Sequence, residues 1–162
     1  MTPKHSTIHE EIVTRAPHAP TGLWRYILRA KLSSLIAVPF VYGCLPAFLL
    51  LDLLVSLFHA VCFPLFGIPK VRRSDHIIFD RGRLSYLNVL ERLNCVYCSY
   101  ANGFASYLVE IAGRVEQYWC PIKHARTPPQ PHSRYLKFLP YEDAGAYHEH
   151  GARVRRDFDD LR

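Results

Sequence analysis

Four side chains in this sequence have the types and spacing of a metal-ligand set. Cys95-Val96-Tyr97-Cys98 is followed, after 21 intervening residues, by Cys120-Pro121-Ile122-Lys123-His124. A C-x2-C pair and a C-x3-H pair supply three thiolates and one imidazole, the complement of a tetrahedral zinc site or of an iron–sulfur cluster with one histidine ligand. Thiols in a cytoplasmic segment stay reduced, so such a cluster there reads as metal-binding or catalytic and not as disulfide-forming.

Cys95 and Cys98 also suggest a second chemistry. If they stand just before a strong helix, its unpaired N–H groups and positive dipole end lower a thiol pKa and favour the nucleophilic thiolate. That is the basis of a membrane-bound thiol oxidoreductase, although no βαβ pattern surrounds the pair. The third reading has no cofactor: small cysteines pack between Leu93, Tyr97 and Trp119. Other enzyme templates are absent, with no G-x-S-x-G, H-E-x-x-H, phosphate-binding loop or dinucleotide fingerprint. His148-Glu149-His150 places its imidazoles at i and i+2, which do not share a helix face.

The elements that position these residues constrain the choice. Tyr100, Phe104, Tyr107, Leu108, Ile111, Val115 and Tyr118 recur at helical spacing, with Glu110 and Arg114 paired at i,i+4 and expected on the outer side. An unbroken helix over 99–119 is about 30 Å long, too long for Cys98 and Cys120 to share one ion. A shared site therefore requires breaks at Asn102-Gly103 and Gly113, or two chains paired antiparallel. Otherwise the halves belong to separate places.

Upstream, the composition points to lipid. Between Lys31 and Lys70 the only formally charged side chain is Asp52, and a stretch that long with one charge cannot face water on a small domain. Arg25, Arg29 and Lys31 precede the run and Lys70, Arg72 and Arg73 follow it, as expected where both ends meet anionic cytoplasmic headgroups. Trp24 and Tyr26 beside these cations suggest an interfacial helix. Pro46 suits the start of a second helix, so residues 26–45 and 46–66 are expected as an apolar hairpin, with a single span as the rival topology. Asp52 and His59, seven residues apart, share one helix face and mark a contact with a partner helix, a water-filled cavity or a functional site. Cys44 and Cys62 are expected to be buried, inert thiols.

The organisation expected is a mostly α membrane-anchored chain: a flexible arm at 1–22, an interfacial helix plus hairpin or span at 23–69, a helical cap at 70–126, and a Pro-rich linker with a polar tail at 127–162. Ile77-Ile78-Phe79 is a candidate strand, and Leu84, Leu87, Leu90 and Leu93 a first helical stripe. The net charge of +6 is split around the apolar run and cancelled locally at the C-terminus, where Arg153–Arg156 meets Asp157, Asp159 and Asp160, so nucleic-acid binding is not expected. A coiled coil, a disordered chain and a secreted disulfide mini-protein are excluded. The function these features imply is that of a membrane-associated accessory protein of the inner or cytoplasmic membrane, with the C-terminal part cytoplasmic. Its Cys95, Cys98, Cys120 and His124 would hold zinc or an iron–sulfur cluster in a structural or electron-relay role, beside a membrane-protein partner or a second copy. The alternatives are the thiol oxidoreductase and a cofactor-free structural subunit.

Overall fold

The computed structural model describes residues 22–28 and 30–161; most of the expected arm, together with Arg29, lies outside the described residues. Within them the chain is mostly helical: α1 (Leu23–Leu28), α2 (Leu32–Gly43), α3 (Leu45–Phe66), α4 (Val89–Trp119) and α5 (Ala144–Val154), with four short 3-10 turns and no regular strand.

The chain does not reverse between α2 and α3, which corrects the hairpin. Cys44 has helical backbone angles, φ −73° and ψ −20°, its N–H reaches the Val41 carbonyl, and the Phe48 N–H returns to the Cys44 carbonyl at 3.0 Å. Pro46 removes one N–H from the ladder without turning it, because a proline in a first turn lacks only a donor that the turn leaves free. Leu32–Phe66 is consequently one apolar rod of 35 residues, long and apolar enough to cross a membrane. Gly67 ends it in the left-handed conformation at φ 67°, with the Ile68 N–H bonded back to the Phe63 carbonyl, a C-terminal cap that a residue without Cβ adopts freely.

The helix α4 begins where Asn88 and Glu91 form a capping box, each side chain accepting from the other's backbone N–H at 2.9 and 2.8 Å. This start leaves Leu84 and Leu87 of the expected stripe outside the helix. α4 lies alongside α2 and α3 in the same direction: Tyr42 meets Tyr97, Phe48 meets Phe104, His59 meets Tyr107 and Phe66 meets Tyr118. Parallel neighbours need a return segment, and residues 67–88 supply it by running antiparallel to both helices. The Pro69 carbonyl accepts from Arg114 Nη1 at 2.8 Å, His76 Nδ1 lies 2.9 Å from Ser106 Oγ, and Ile77 crosses Gly103. Ile77 and Val71 on this segment join Phe63, Phe104, Tyr107 and Ile111 in the core. The candidate strand at 77–79 forms no strand: the segment lies outside every regular element, and the Ile77 N–H bonds back to the Arg73 carbonyl at 3.0 Å.

At its far end α4 is tied to the C-terminal segment. The buried Arg134 guanidinium donates to Gln117 Oε1 at 2.6 Å, to the Asp157 carbonyl and to both oxygens of Asp160. Gln117 in turn donates to the Val154 and Asp157 carbonyls. Residues 120–139 close on themselves through one parallel bridge, Ile122 to Leu139, and α5 is a short helix within the segment expected as a polar tail.

A Cβ at position 103 would lie 2.7 Å from the His76 carbonyl and 2.8 Å from Ile77 Cα. Gly103→Ala is therefore expected to destabilise by about 1–3 kcal/mol, whereas Gly82→Ala, whose Cβ meets only a Val96 methyl at 3.6 Å, stays within about 1 kcal/mol if helix propensity dominates; thermal unfolding of both in mild detergent compares them. The Arg134 guanidinium holds the Asp160 carboxyl well below its usual range. Its folded pKa being depressed, this tie contributes fully above the ordinary value of 3.8 and is lost as pH falls through the lower folded value. Protection of the Phe158 amide, relative to the intrinsic exchange rate at each pH, is expected to fall in acid, and in Asp160→Asn to be low already at neutral pH.

Candidate polar seam between the helices

Burial on the apolar rod is inverted. Its buried residues are Asp52, His59 and Phe63, and α2 has none, while Leu50, Leu54 and Leu57 are 60%, 55% and 56% exposed. At 3.6 residues per turn the outer positions of α3 cover an arc of roughly 200° that is wholly apolar. Its polar side chains, Asp52, Ser56 and His59, all occupy the remaining arc, facing α4 and the return segment.

Asp52 accepts from four donors. Arg73 grips it with both terminal nitrogens at 2.5 Å, Tyr100 donates its hydroxyl at 2.8 Å, and Ser56 donates at 3.1 Å. A two-pronged guanidinium contact is the strongest pairing available to a carboxylate. Arg73 also stands over the Tyr107 ring, 5.6 Å from its centroid, in a cation–π contact. Two turns along, His59 Nε2 accepts the Val71 N–H at 3.0 Å, and Nδ1 lies 3.2 Å from the Tyr107 hydroxyl. Since Nε2 is the acceptor, the ring is a neutral imidazole whose proton sits on Nδ1 and points at Tyr107. Burial, together with the Asp52 carboxylate that its hydroxyl meets, pushes Tyr100 up to about 12, and burial likewise raises Tyr107.

The seam continues to both ends of the shared interface. Tyr42 donates to Asn94 Oδ1, and Tyr97 donates to the Val41 carbonyl at 2.6 Å, just before the turn where Pro46 interrupts the ladder. Arg114 pairs with Glu110 at 2.8 Å, the expected i,i+4 pair, but it is buried and holds the return segment through Pro69, not on the outer side as periodicity suggested. Chemically the arrangement is a clasp: it neutralises one carboxylate, fixes one histidine tautomer and saturates both with partners from this chain.

Comparison with family models, with curated proteins and with solved structures finds no match for this chain. Its function is therefore argued from its own geometry.

The cysteine–histidine set is not brought together within one chain. α4 runs unbroken through Asn102-Gly103 and Gly113, so Cys98 and Cys120 are about 33 Å apart along its axis. Among the described residues no three His, Cys, Asp or Glu side chains converge as a metal site. A Cys95, Cys98, Cys120 and His124 site would need two chains laid antiparallel. Cys95 and Cys98 also lie two turns inside α4 and not before it, which removes the helix-dipole argument for a reactive thiolate. Cys95 is half-buried and Cys98 and Cys120 are exposed, while His124 stacks on Tyr135. Cys44 is exposed and Cys62 half-buried, so neither is the enclosed thiol expected; both belong to a rod whose neighbours are missing on one side.

Sequence reasoning missed Arg73, Tyr100 and Tyr107 as partners of Asp52 and His59. Arg73 was legible only as a juxtamembrane cation and the two tyrosines only as core spacing, since the fold that joins them is long-range.

The Asp52 side chain is 11% exposed and that of Arg73 42%, so the two halves of the pair are unequal. Arg73→Met strands a buried carboxylate and is expected to cost about 3–5 kcal/mol; Asp52→Leu releases an arginine that reaches water and is expected to cost clearly less. Thermal unfolding in detergent ranks them, and the opposite order would count against the clasp. Because the raised Tyr100 pKa leaves the seam intact below pH 10 and opens it as pH climbs toward 12, tyrosinate absorbance is expected to include a late-titrating step that Asp52→Asn brings earlier.

Proposed function

We propose that this chain is a membrane-associated accessory protein whose α2–α3 rod lies along a lipid surface, its leucine arc in the acyl region and its polar seam holding the α4 cap on the aqueous side. The observation that carries this reading is the inverted burial of residues 32–66. A soluble helix buries its apolar face and exposes its polar one; here a half-turn of leucine, valine and phenylalanine is left outside and the carboxylate is inside, a pattern that suits lipid and is costly in water.

The charges of the return segment favour an in-plane position over a crossing one. Residues 71–79 run beside α3 from the level of His59 toward that of Leu45, and Arg72, Asp75, Asp80 and Arg81 on or next to this stretch are exposed. A crossing rod would draw these charges and their backbone into hydrocarbon about 30 Å thick. A rod in the plane keeps them in water, and Arg25 and Lys31 reach headgroup depth by snorkelling. In this reading the accessory role is to present the cap at the bilayer surface, on the cytoplasmic side that the flanking cations favour.

Flotation of the full chain with vesicles of mixed phosphatidylcholine and phosphatidylglycerol tests it. The wild type is expected to float, and the triple change Leu50→Glu, Leu54→Glu, Leu57→Glu to lose at least about tenfold in bound fraction, each leucine contributing on the order of 1 kcal/mol. Single reporter cysteines at positions 75, 83 and 153 are expected to react with an impermeant maleimide from the same side; protection of positions 75 and 83 would instead establish a crossing helix.

A further inference from the structure

The N-terminal half of the rod and the start of α4 diverge, leaving an open groove of about 1200 Å³. One wall is Leu35, Val38, Val41 and Leu45, the other Leu90 and Leu93. No residue of α2 is buried, so the walls do not close on one another. The volume exceeds the roughly 300–1,000 Å³ usual for small-molecule pockets, and the shape is elongated: from Lys31 to Leu49 the groove follows the rod for about 27 Å at 1.5 Å per residue.

Charge is distributed at one end only. Arg25 and Lys31 line the groove at its α1 end, and among the described residues no acidic side chain lines it. Along the rest, Tyr42 donates to Asn94 and Tyr97 to the Val41 carbonyl, and the small hydroxyl of Ser34 lies within one turn of Lys31, at the cationic end. A ligand that satisfies this surface has an anionic head for two cations and a long apolar body with no polar groups to match. Arginine and lysine are the usual partners of phosphate oxygens, the former by paired N–H donors.

We infer that this groove seats one anionic glycerophospholipid, its phosphate between Arg25 and Lys31 and its acyl chains along the channel between α2 and α4. The inference rests on the membrane reading above and deepens it: the chain holds one lipid out of the bilayer plane's general solvent, in a place defined by side chains. A second copy of this chain is a poorer occupant, since laid parallel it would set its own Arg25 and Lys31 against these cations, and laid antiparallel its Lys70.

Native mass spectrometry of the full chain, purified in dodecyl maltoside after incubation with dipalmitoyl phosphatidylglycerol or dipalmitoyl phosphatidylcholine, decides the matter. The expected result is a monomer retaining one phosphatidylglycerol, with at least about tenfold less retention of phosphatidylcholine. Arg25→Gln with Lys31→Gln is expected to abolish that preference, and Val38→Trp, which fills the channel from one wall, to abolish retention; Leu93→Trp does the same from the other wall in case Val38→Trp fails to fold, judged by circular dichroism. Flotation is measured on the same variants. A wild type that floats but carries no lipid, carries both lipids equally, or keeps its lipid in the folded tryptophan variant overturns the groove while leaving the membrane reading standing. A dimer that Val38→Trp dissociates also overturns it, the second copy then being the occupant. A wild type that does not float removes the membrane reading itself.

Discussion

A carboxylate on an apolar helix has to be met by a cation or be protonated, and in this molecule Arg73 meets it. The bond between Asp52 and Arg73 fixes the path of the return segment, since Arg73 reaches Asp52 only if residues 67–72 turn back sharply at Gly67 and run beside α3. That path then sets where Val71 offers its N–H to His59 and where Ile77 meets Gly103. The interface between α3 and α4 is anchored on this ion pair, whose carboxylate is nearly closed to water while its guanidinium reaches it.

The same constraint explains why polarity is arranged inside out. Each polar side chain on the rod costs free energy if it faces lipid and is stabilised if it faces the cap. Tyrosine suits the opposing surface, because a ring fills space while its hydroxyl supplies one directional contact. Tyr97, Tyr100 and Tyr107 serve in this way along the seam, and Tyr42 answers them from the rod. The cap is held by hydrogen bonds at its core-facing side and by aromatic packing between them, so its register against the rod is set at several separate points.

Much of this was readable from residue order, and the remainder was not for definite reasons. The apolar rod, the α4 stripe from Tyr100 to Tyr118 and the i,i+4 pair Glu110–Arg114 are local, and spacing reveals local structure. Pro46 misled because a proline in a first turn and a proline continuing a kinked helix have the same neighbours. The helix start at Asn88 was available in principle from the Asn-x-x-Glu capping pattern. What spacing could not reveal was the direction of α4 relative to α3. The C-x2-C and C-x3-H halves are separated by something local, the unbroken run of α4 between them, and not by the chemistry of the side chains.

The register between the two long helices also has a consequence during synthesis. The ties from the rod to α4 join residues about fifty positions apart, so the leucine-rich rod is complete when none of α4 has yet been made. At roughly 5–20 residues per second on the ribosome, several seconds pass before residues 67–119 follow. Throughout that interval Asp52 and His59 lack Tyr100 and Tyr107, and the nascent chain carries an apolar cylinder without its cap. Delivery to a bilayer before translation ends would shelter it, and the cap would then close over an element already laid down.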